Sequence, residues 1–258
     1  MASVVTWVPS RAPVPPTQVN WRNFRPTIGL LCEATRQMMP ARVASCMCFR
    51  NDTRPLTQEA AAPVRDFALG SVLGDGGAAP APNDAATWRA QNETMQAAAA
   101  STALRVPLLI GNDSVHGQNN LRGSTLYPHH IGLGCMREGG EPDEAMVERL
   151  AAVAAAESMA CGINWMFTPC VAVPQDLRWG RTYEGFAEDP TIVGRLGAAE
   201  VRGVQQQPFP MASCLKHWAA DGGTRYGSGT ALFFWSGAPV HVLDQGDAVM
   251  DEEEMRRM

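Results

Sequence analysis

Apolar and polar residues alternate in a legible way only in the later three quarters of this chain. Before residue 65 one segment carries a pattern: WRNFRPTIGLLCEATRQMMPARV reads as a short helix around Ile28–Met39, stopped by Pro40. From there on, apolar runs and helical periods take turns. Phe67–Leu73 reads as a short strand ending in the glycine-rich GDGG. An Ala-, Gln- and Met-rich helix follows from about Asp84 to Leu104. Val106–Ile110 is a continuous apolar strand, which suggests burial on both faces, and it ends at Gly111-Asn112-Asp113. Pro142-Asp143-Glu144 opens a second helix, since proline and acids favour a first turn. Met146, Leu150 and Val153 recur on one face of it, and Gly162 closes it. Ile163–Thr168 is the next strand. Asp189-Pro190 then opens a helix running to about Gln206. Met211–Lys216 is a further strand, and a long glycine-rich loop leads to the acidic run Asp251–Glu254.

Four strand-then-helix units in a row, the last cut short, predict an α/β fold with parallel strands and crossover helices. A doubly wound sheet and a (β/α)8 barrel both fit this alternation. The barrel needs eight units over about 250 residues, and here four units already span the chain. The fold expected is therefore a partial TIM barrel, roughly its first half. Residues 1–50 form a poorly defined lead-in, and 51–258 form the partial barrel.

Composition narrows the classes. Hydrophobic residues make up 45% of the 258, enough for a buried core, and the net charge of −5 with no basic stripe argues against nucleic acid. No run of eighteen apolar residues suggests a membrane span. The N-terminus MASVVTWVPSRAPVPP has no apolar core of the kind a signal peptide needs. Seven cysteines, an odd number at irregular spacing, read as buried free thiols. That favours a reducing, cytoplasmic compartment.

The polar residues fall in one place on this scheme. Asp113 ends the second strand, Arg178 and Arg181 lie in the loop after the third, and Lys216 and His217 end the fourth. All are at carboxyl ends of parallel strands, where α/β folds place their sites. A sugar suits such a set: vicinal hydroxyls donate to one carboxylate, while lysine, arginine and imidazole donate back. Trp179 or Trp218 offers a face for the ring. Each residue also has a plainer reading. Asp113 caps a turn before Gly117, and Asp221 forms one before Gly222-Gly223. Asp189 caps the helix that Pro190 begins. Glu184 and Glu188 pair with Arg178 or Arg181 and stiffen the loop. His116, His129 and His130 with Asp113 raise the question of a metal, but no HExxH-like spacing supports it, and no cofactor is expected.

From Phe67 to Met258 the chain resembles the N-terminal barrel domain of glycoside hydrolase family 3, the β-glucosidase and exo-glucanase type. The resemblance rests on GSVL with the glycines of 70–77, GNDSVHGQNN (111–120), TLYPHHIGLGC (125–135), NWMFTPCVAVPQDLRWGRTYEGFAEDP (164–190) and CLKHWAADGGT (214–224), in that order. It implies retaining hydrolysis of a terminal β-linked sugar by a carboxylate nucleophile and a second carboxyl acting as acid/base. It implies a β-glucoside or β-glucan oligosaccharide as substrate. It assigns Asp113, Arg178, Lys216 and His217 to the sugar pocket, with Arg181, Trp179 and Glu184 supporting the loop. If the adjacent Lys216 and His217 both face one sugar, the backbone between them is expected to be distorted or cis. The family's nucleophile, an aspartate in an SDW-like context, and its acid/base are not recognisable in this sequence. The isolated chain is accordingly expected to be inactive, the alternatives being a non-catalytic sugar-binding fragment or a decayed gene product. The open edge of a half barrel is expected to favour self-association.

Overall fold

A computed structural model describes residues 61–74, 79–209, 211–228 and 246–257, together with the backbone of 29–33 and 45–49. The lead-in up to residue 28 and the glycines of 75–78 lie outside the described residues.

In chain order the elements are β1 (Gly29–Glu33), β2 (Ser45–Phe49), α1 (Ala62–Asp66), β3 (Ser71–Gly74), α2 (Ala85–Ala100), β4 (Leu109–Asn112), α3 (His130–Gly134), β5 (Arg137–Glu138), β6 (Glu141–Pro142), α4 (Glu144–Ala160), β7 (Trp165–Met166), α5 (Pro190–Gln205), β8 (Ala212–Ser213) and α6 (Glu252–Arg257). Six strands form one sheet in the order β1-β2-β3-β4-β7-β8. Within this sheet β1 and β2 pair antiparallel and the other neighbours pair parallel, with α2, α4 and α5 as crossovers; β5 and β6 form a separate antiparallel pair. The α/β class and the parallel order expected from the sequence are both present, and among the described residues the sheet does not close into a barrel. Where a short helix was expected around Ile28–Met39, Gly29–Glu33 is instead β1, paired with β2, and the rest of that stretch lies outside the described residues. Leu30 and Leu31 sit in a sequence that also satisfies a helical period, and strand pairing outweighs that local preference.

Helix starts follow the acids. The side chain of Asp84 accepts the Thr87 N–H at 2.8 Å, Asp143 accepts that of Met146 at 2.9 Å, and Asp189 accepts that of Thr191 at 2.8 Å ahead of Pro190. The sheet buries both faces, as a parallel sheet must. On the helix side Val72, Leu108 and Ile110 pack with Met95, Ala98 and Ala99 of α2, and Met166 packs with Ala151, Ala154, Ala155, Val204 and Met211. On the other side Leu73, Trp165, Phe167 and Cys214 meet. Trp165 and its neighbour Met166 thus serve opposite faces, the period-two alternation of a strand.

The buried face of α4 differs from expectation. Val147, Ala151, Ala154, Ala155 and Ser158 point inward, while Val153 is exposed. Alanine surrounds this helix, so its larger apolar residues do not select the face. Close packing against α5 does: a Cβ at Gly203 would run into the Glu148 backbone carbonyl and the Ala151 methyl. Arg195 of α5 bridges Glu141 and Glu144 at 2.7 Å each, and Arg202 reaches Glu148 at 2.8 Å, so the rim of this contact is ionic.

Replacing Gly203 with leucine is expected to force α4 and α5 apart and destabilise the chain by about 1–3 kcal/mol, the usual cost of overpacking. A urea titration followed by circular dichroism measures this, and an unchanged midpoint would show that the two helices are not in this contact.

Candidate functional site

Three segments converge beyond the carboxyl ends of β4, β7 and β8. The pairing of β7 with β8 does not stop at the strands. Cys214 N–H donates to the Thr168 carbonyl at 3.0 Å, Lys216 N–H to Pro169 at 3.1 Å, Val171 N–H to Lys216 at 2.8 Å and Gln175 N–H to Gly222 at 3.0 Å. The two loops therefore run side by side. Gly222 is required there, because a Cβ would lie 2.6 Å from the Val173 carbonyl oxygen. The Lys216–His217 peptide is cis, as is Trp218–Ala219.

This ladder delivers Lys216 to Asp113. Nζ lies 2.9 Å from Oδ1 of Asp113, the lysine almost wholly buried and the aspartate side chain 48% exposed. A buried ammonium thus faces a carboxylate that is open to solvent on its other side.

A second chain of contacts stands beside it. Arg181 makes a two-pronged pair with Glu184, Nε to Oε1 at 2.7 Å and Nη2 to Oε2 at 2.6 Å. The same Nη2 reaches Nε2 of His217 at 3.1 Å, and Nδ1 of His217 lies 2.7 Å from Oδ2 of Asp221. A guanidinium only donates. Nε2 of His217 is therefore the acceptor, and the ring proton sits on Nδ1, donating to Asp221. The other Asp221 oxygen accepts the Gly222 N–H at 3.0 Å. Burial opposes ionisation of Glu184, but the hydrogen bonds and charge of Arg181, with the charge of Lys216, outweigh it and hold this carboxyl below its ordinary range.

Of the residues singled out in the sequence, Asp113, Lys216, His217, Arg181 and Glu184 come together. Arg178 stands outside this cluster, 64% exposed, forked onto Asp176 at 2.6–3.1 Å and resting over the Tyr226 ring at 4.3 Å. Glu184, and not Glu188, is the partner of Arg181. Trp179 is buried with Cys170 and Ala172 and presents no face to a ligand; Trp218 is 80% exposed. Asp221, read as a turn former, proves to be the orienting partner of His217. Its spacing four residues on from His217 was the available signal. The imidazoles do not gather round a common point. His116 and His129 stack at 4.0 Å, while His130 faces Glu200 in the interior. Among the described residues no group of three or more His, Cys, Asp or Glu is placed to hold a metal ion, and no helix is long and apolar enough to cross a membrane.

The arrangement pairs every carboxylate with a cation or imidazole. It sets the Lys216–Asp113 pair beside the Arg181–Glu184 pair and the His217 ring. This is chemistry for gripping hydroxyl groups.

The chain is similar to known proteins over much of this region. The profile of the glycosyl hydrolase family 3 N-terminal domain matches residues 33–242. A lysosomal beta glucosidase of Dictyostelium discoideum is 37% identical over 101 residues, 39% of this chain and 12% of that protein. A periplasmic beta-glucosidase of Salmonella typhimurium is 31% identical over 132 residues, 50% of this chain and 16% of the relative. Among solved structures, a mutant exo-1,3/1,4-beta-glucanase from a Pseudoalteromonas species superposes with a TM-score of 0.63 at 33% identity, over 78% of this chain and 31% of that one. The chain spans less than a third of the length of each of these proteins.

The site also carries a pH dependence. Burial, then the charges of His116 and His130, hold His129 down to about 4 from its ordinary 6.5. Between those values the unfolded chain takes up a proton that the folded chain refuses, so stability falls as pH drops from 6.5 towards 4. Glu184 acts in the same sense at the acid end of that range. His130 is shifted upward; it favours the folded chain most below 6.5 and adds no slope there. Melting temperatures measured at intervals from pH 7 to 4.5 are expected to decline, and His129→Gln to flatten the decline. Parallel curves for the two proteins would contradict it.

Proposed function

As the chain belongs to the family of glycosyl hydrolase family 3 N-terminal domains, we propose that the cluster beyond β4, β7 and β8 grips the terminal β-linked glucosyl unit of a glucoside or β-glucan oligosaccharide. Asp113 accepts hydroxyl protons from two neighbouring positions of the ring, and Lys216 donates to one of those hydroxyl oxygens. Arg181 and His217 close the other side of the same ring. The observation that carries this is the joint presence of the Lys216–Asp113 pair at 2.9 Å and the Arg181–His217 contact at 3.1 Å, on residues adjacent in the chain.

The arginine assigned here is Arg181, where the family resemblance in the sequence pointed to Arg178. Arg181 is mostly buried and touches His217; Arg178 is spent on Asp176 and Tyr226. Arg178 in this proposal straps the 176–178 loop to the 226 loop.

We further propose that this chain holds the sugar without hydrolysing it unaided. Retaining hydrolysis needs one carboxylate free to attack and a second, about 5 Å away, able to give a proton. Asp113, Glu184 and Asp221 are each committed to Lys216, Arg181 and His217. Glu184, held ionised by Arg181 and Lys216 against its burial, is a poor proton donor.

Calorimetric titration of the 258-residue chain with glucose is expected to show binding. Asp113→Ala and Arg181→Ala should each weaken it about tenfold or more, the worth of a charged hydrogen bond. Arg178→Ala should leave it within about twofold, as for an exposed ion pair. Loss of binding in the Arg178 variant with retention in the Arg181 variant would reverse the assignment. Release of nitrophenol from an aryl β-glucoside by the pure chain, abolished by Asp113→Ala, would overturn the non-hydrolytic reading.

A further inference from the structure

His130 has no part in the sugar cluster, yet it is wholly buried and engaged on both ring nitrogens. It opens α3, and α3 is pressed onto the loop that carries Arg181. The His130 and Phe186 rings lie 4.4 Å apart, and a Cβ at Gly134 would collide with the Phe186 carbonyl. Nδ1 of His130 lies 2.7 Å from the carbonyl oxygen of Glu184. A carbonyl only accepts, so this nitrogen carries a proton. Nε2 lies 2.9 Å from Oε2 of Glu200 in α5, off the best hydrogen-bond line, and neither atom has another partner. The other Glu200 oxygen accepts the hydroxyl of Thr168, just past β7.

At 2.9 Å in a dry interior, an imidazole lone pair and a carboxylate oxygen repel unless a proton lies between them. The charged and titratable groups facing His130 are Glu200 from α5, Glu184 from the arginine loop, Lys216 beyond β8, and His129 beside it. None but Glu200 is in position to share that proton.

We propose that His130 is a positioning residue for Arg181: it pins the Glu184 carbonyl, so that the Glu184 carboxylate holds Arg181 against His217, and the proton shared with Glu200 keeps this hold closed. The hold loosens when that proton leaves at alkaline pH. Burial alone would strip the proton early, but the charge and hydrogen bond of Glu200 and the Glu184 carbonyl raise the pH at which it is lost. The proposal rests on the sugar-binding reading only for its consequence in affinity. The geometry at Arg181 can be read without any sugar.

The experiment uses the full chain, with the Arg181 side-chain Nε–H signal in 15N nuclear magnetic resonance assigned by its absence in Arg181→Lys. In the wild type this signal should be sharp at pH 7 and should broaden or move as the pH is raised into the alkaline range. His130→Gln keeps an amide donor for the Glu184 carbonyl but has no proton to lose; its signal should persist and stay put across the same range. The triple variant H130L/E200L/T168V replaces the network with apolar side chains, a change that buried ionic groups often tolerate. It should remain folded, lose the sharp Arg181 signal and bind glucose about tenfold more weakly, the worth of one hydrogen bond. A triple variant that keeps the wild-type Arg181 signal would overturn the proposal, as would identical pH profiles for the wild type and His130→Gln. If the triple variant does not fold, the comparison with His130→Gln alone decides. If the wild type binds no glucose, the sugar reading fails, while the Arg181 signal still decides the role of His130.

Discussion

The site depends on one continuation of backbone pairing. Past the two-residue strands β7 and β8, the chain at 168–175 and the chain at 214–222 keep exchanging hydrogen bonds, four of them between 2.8 and 3.1 Å. That ladder fixes where Lys216 and His217 leave the sheet, and so which carboxylate each can meet. It also ties the arginine loop to the same frame, because the loop departs from the paired segment at Gln175 and returns at Pro190, the first residue of α5. Without it, five charged side chains from distant parts of the sequence would have no common origin.

The density of buried ionic groups has a cost that the fold meets elsewhere. Lys216, Glu184, Asp221, Glu200 and His130 are all buried. Removing each such group from water costs several kcal/mol, and pairing recovers only part of that. Apolar side chains would fill the same space more stably. The stabilisation comes instead from the apolar layers around the site: α2 against β3 and β4, and α4 with α5 against β7. The polar network is orienting material. Each member limits the freedom of the next, from Glu200 through His130 and Glu184 to Arg181 and His217.

Much of this was legible in the chain. The alternation of apolar runs with capped helical stretches specified an α/β sheet with parallel strands, since no other arrangement buries continuous apolar strands under crossover helices. The acids at 84, 143 and 189 marked helix starts because a short carboxylate side chain satisfies the orphan N–H groups of a first turn. The positions of Asp113, Lys216 and His217 at strand ends placed them at the carboxyl end of the sheet. Other features were not legible for identifiable reasons. The inward face of α4 was hidden because alanine surrounds the helix, leaving the choice to the closeness of α5 at Gly203. β1 was hidden because a segment with leucines at adjacent positions satisfies either period until a partner strand is present.

The sequence by itself therefore determined the class of fold, the end of the sheet that bears the site, and the residue types available there. These follow from local periodicity and from the order of strands and loops. Which side chains touch was decided only by tertiary structure. RWGR offers two arginines three positions apart with the same chemistry, and nothing local separates them. The fold turns Arg181 inward to Glu184 and His217 and leaves Arg178 outside with Asp176. It makes Asp221 the anchor of an imidazole, and His130 a buried link to an acid seventy residues away. Such contacts depend on the direction in which each side chain leaves the backbone. That direction is set by the packing of segments remote in the sequence.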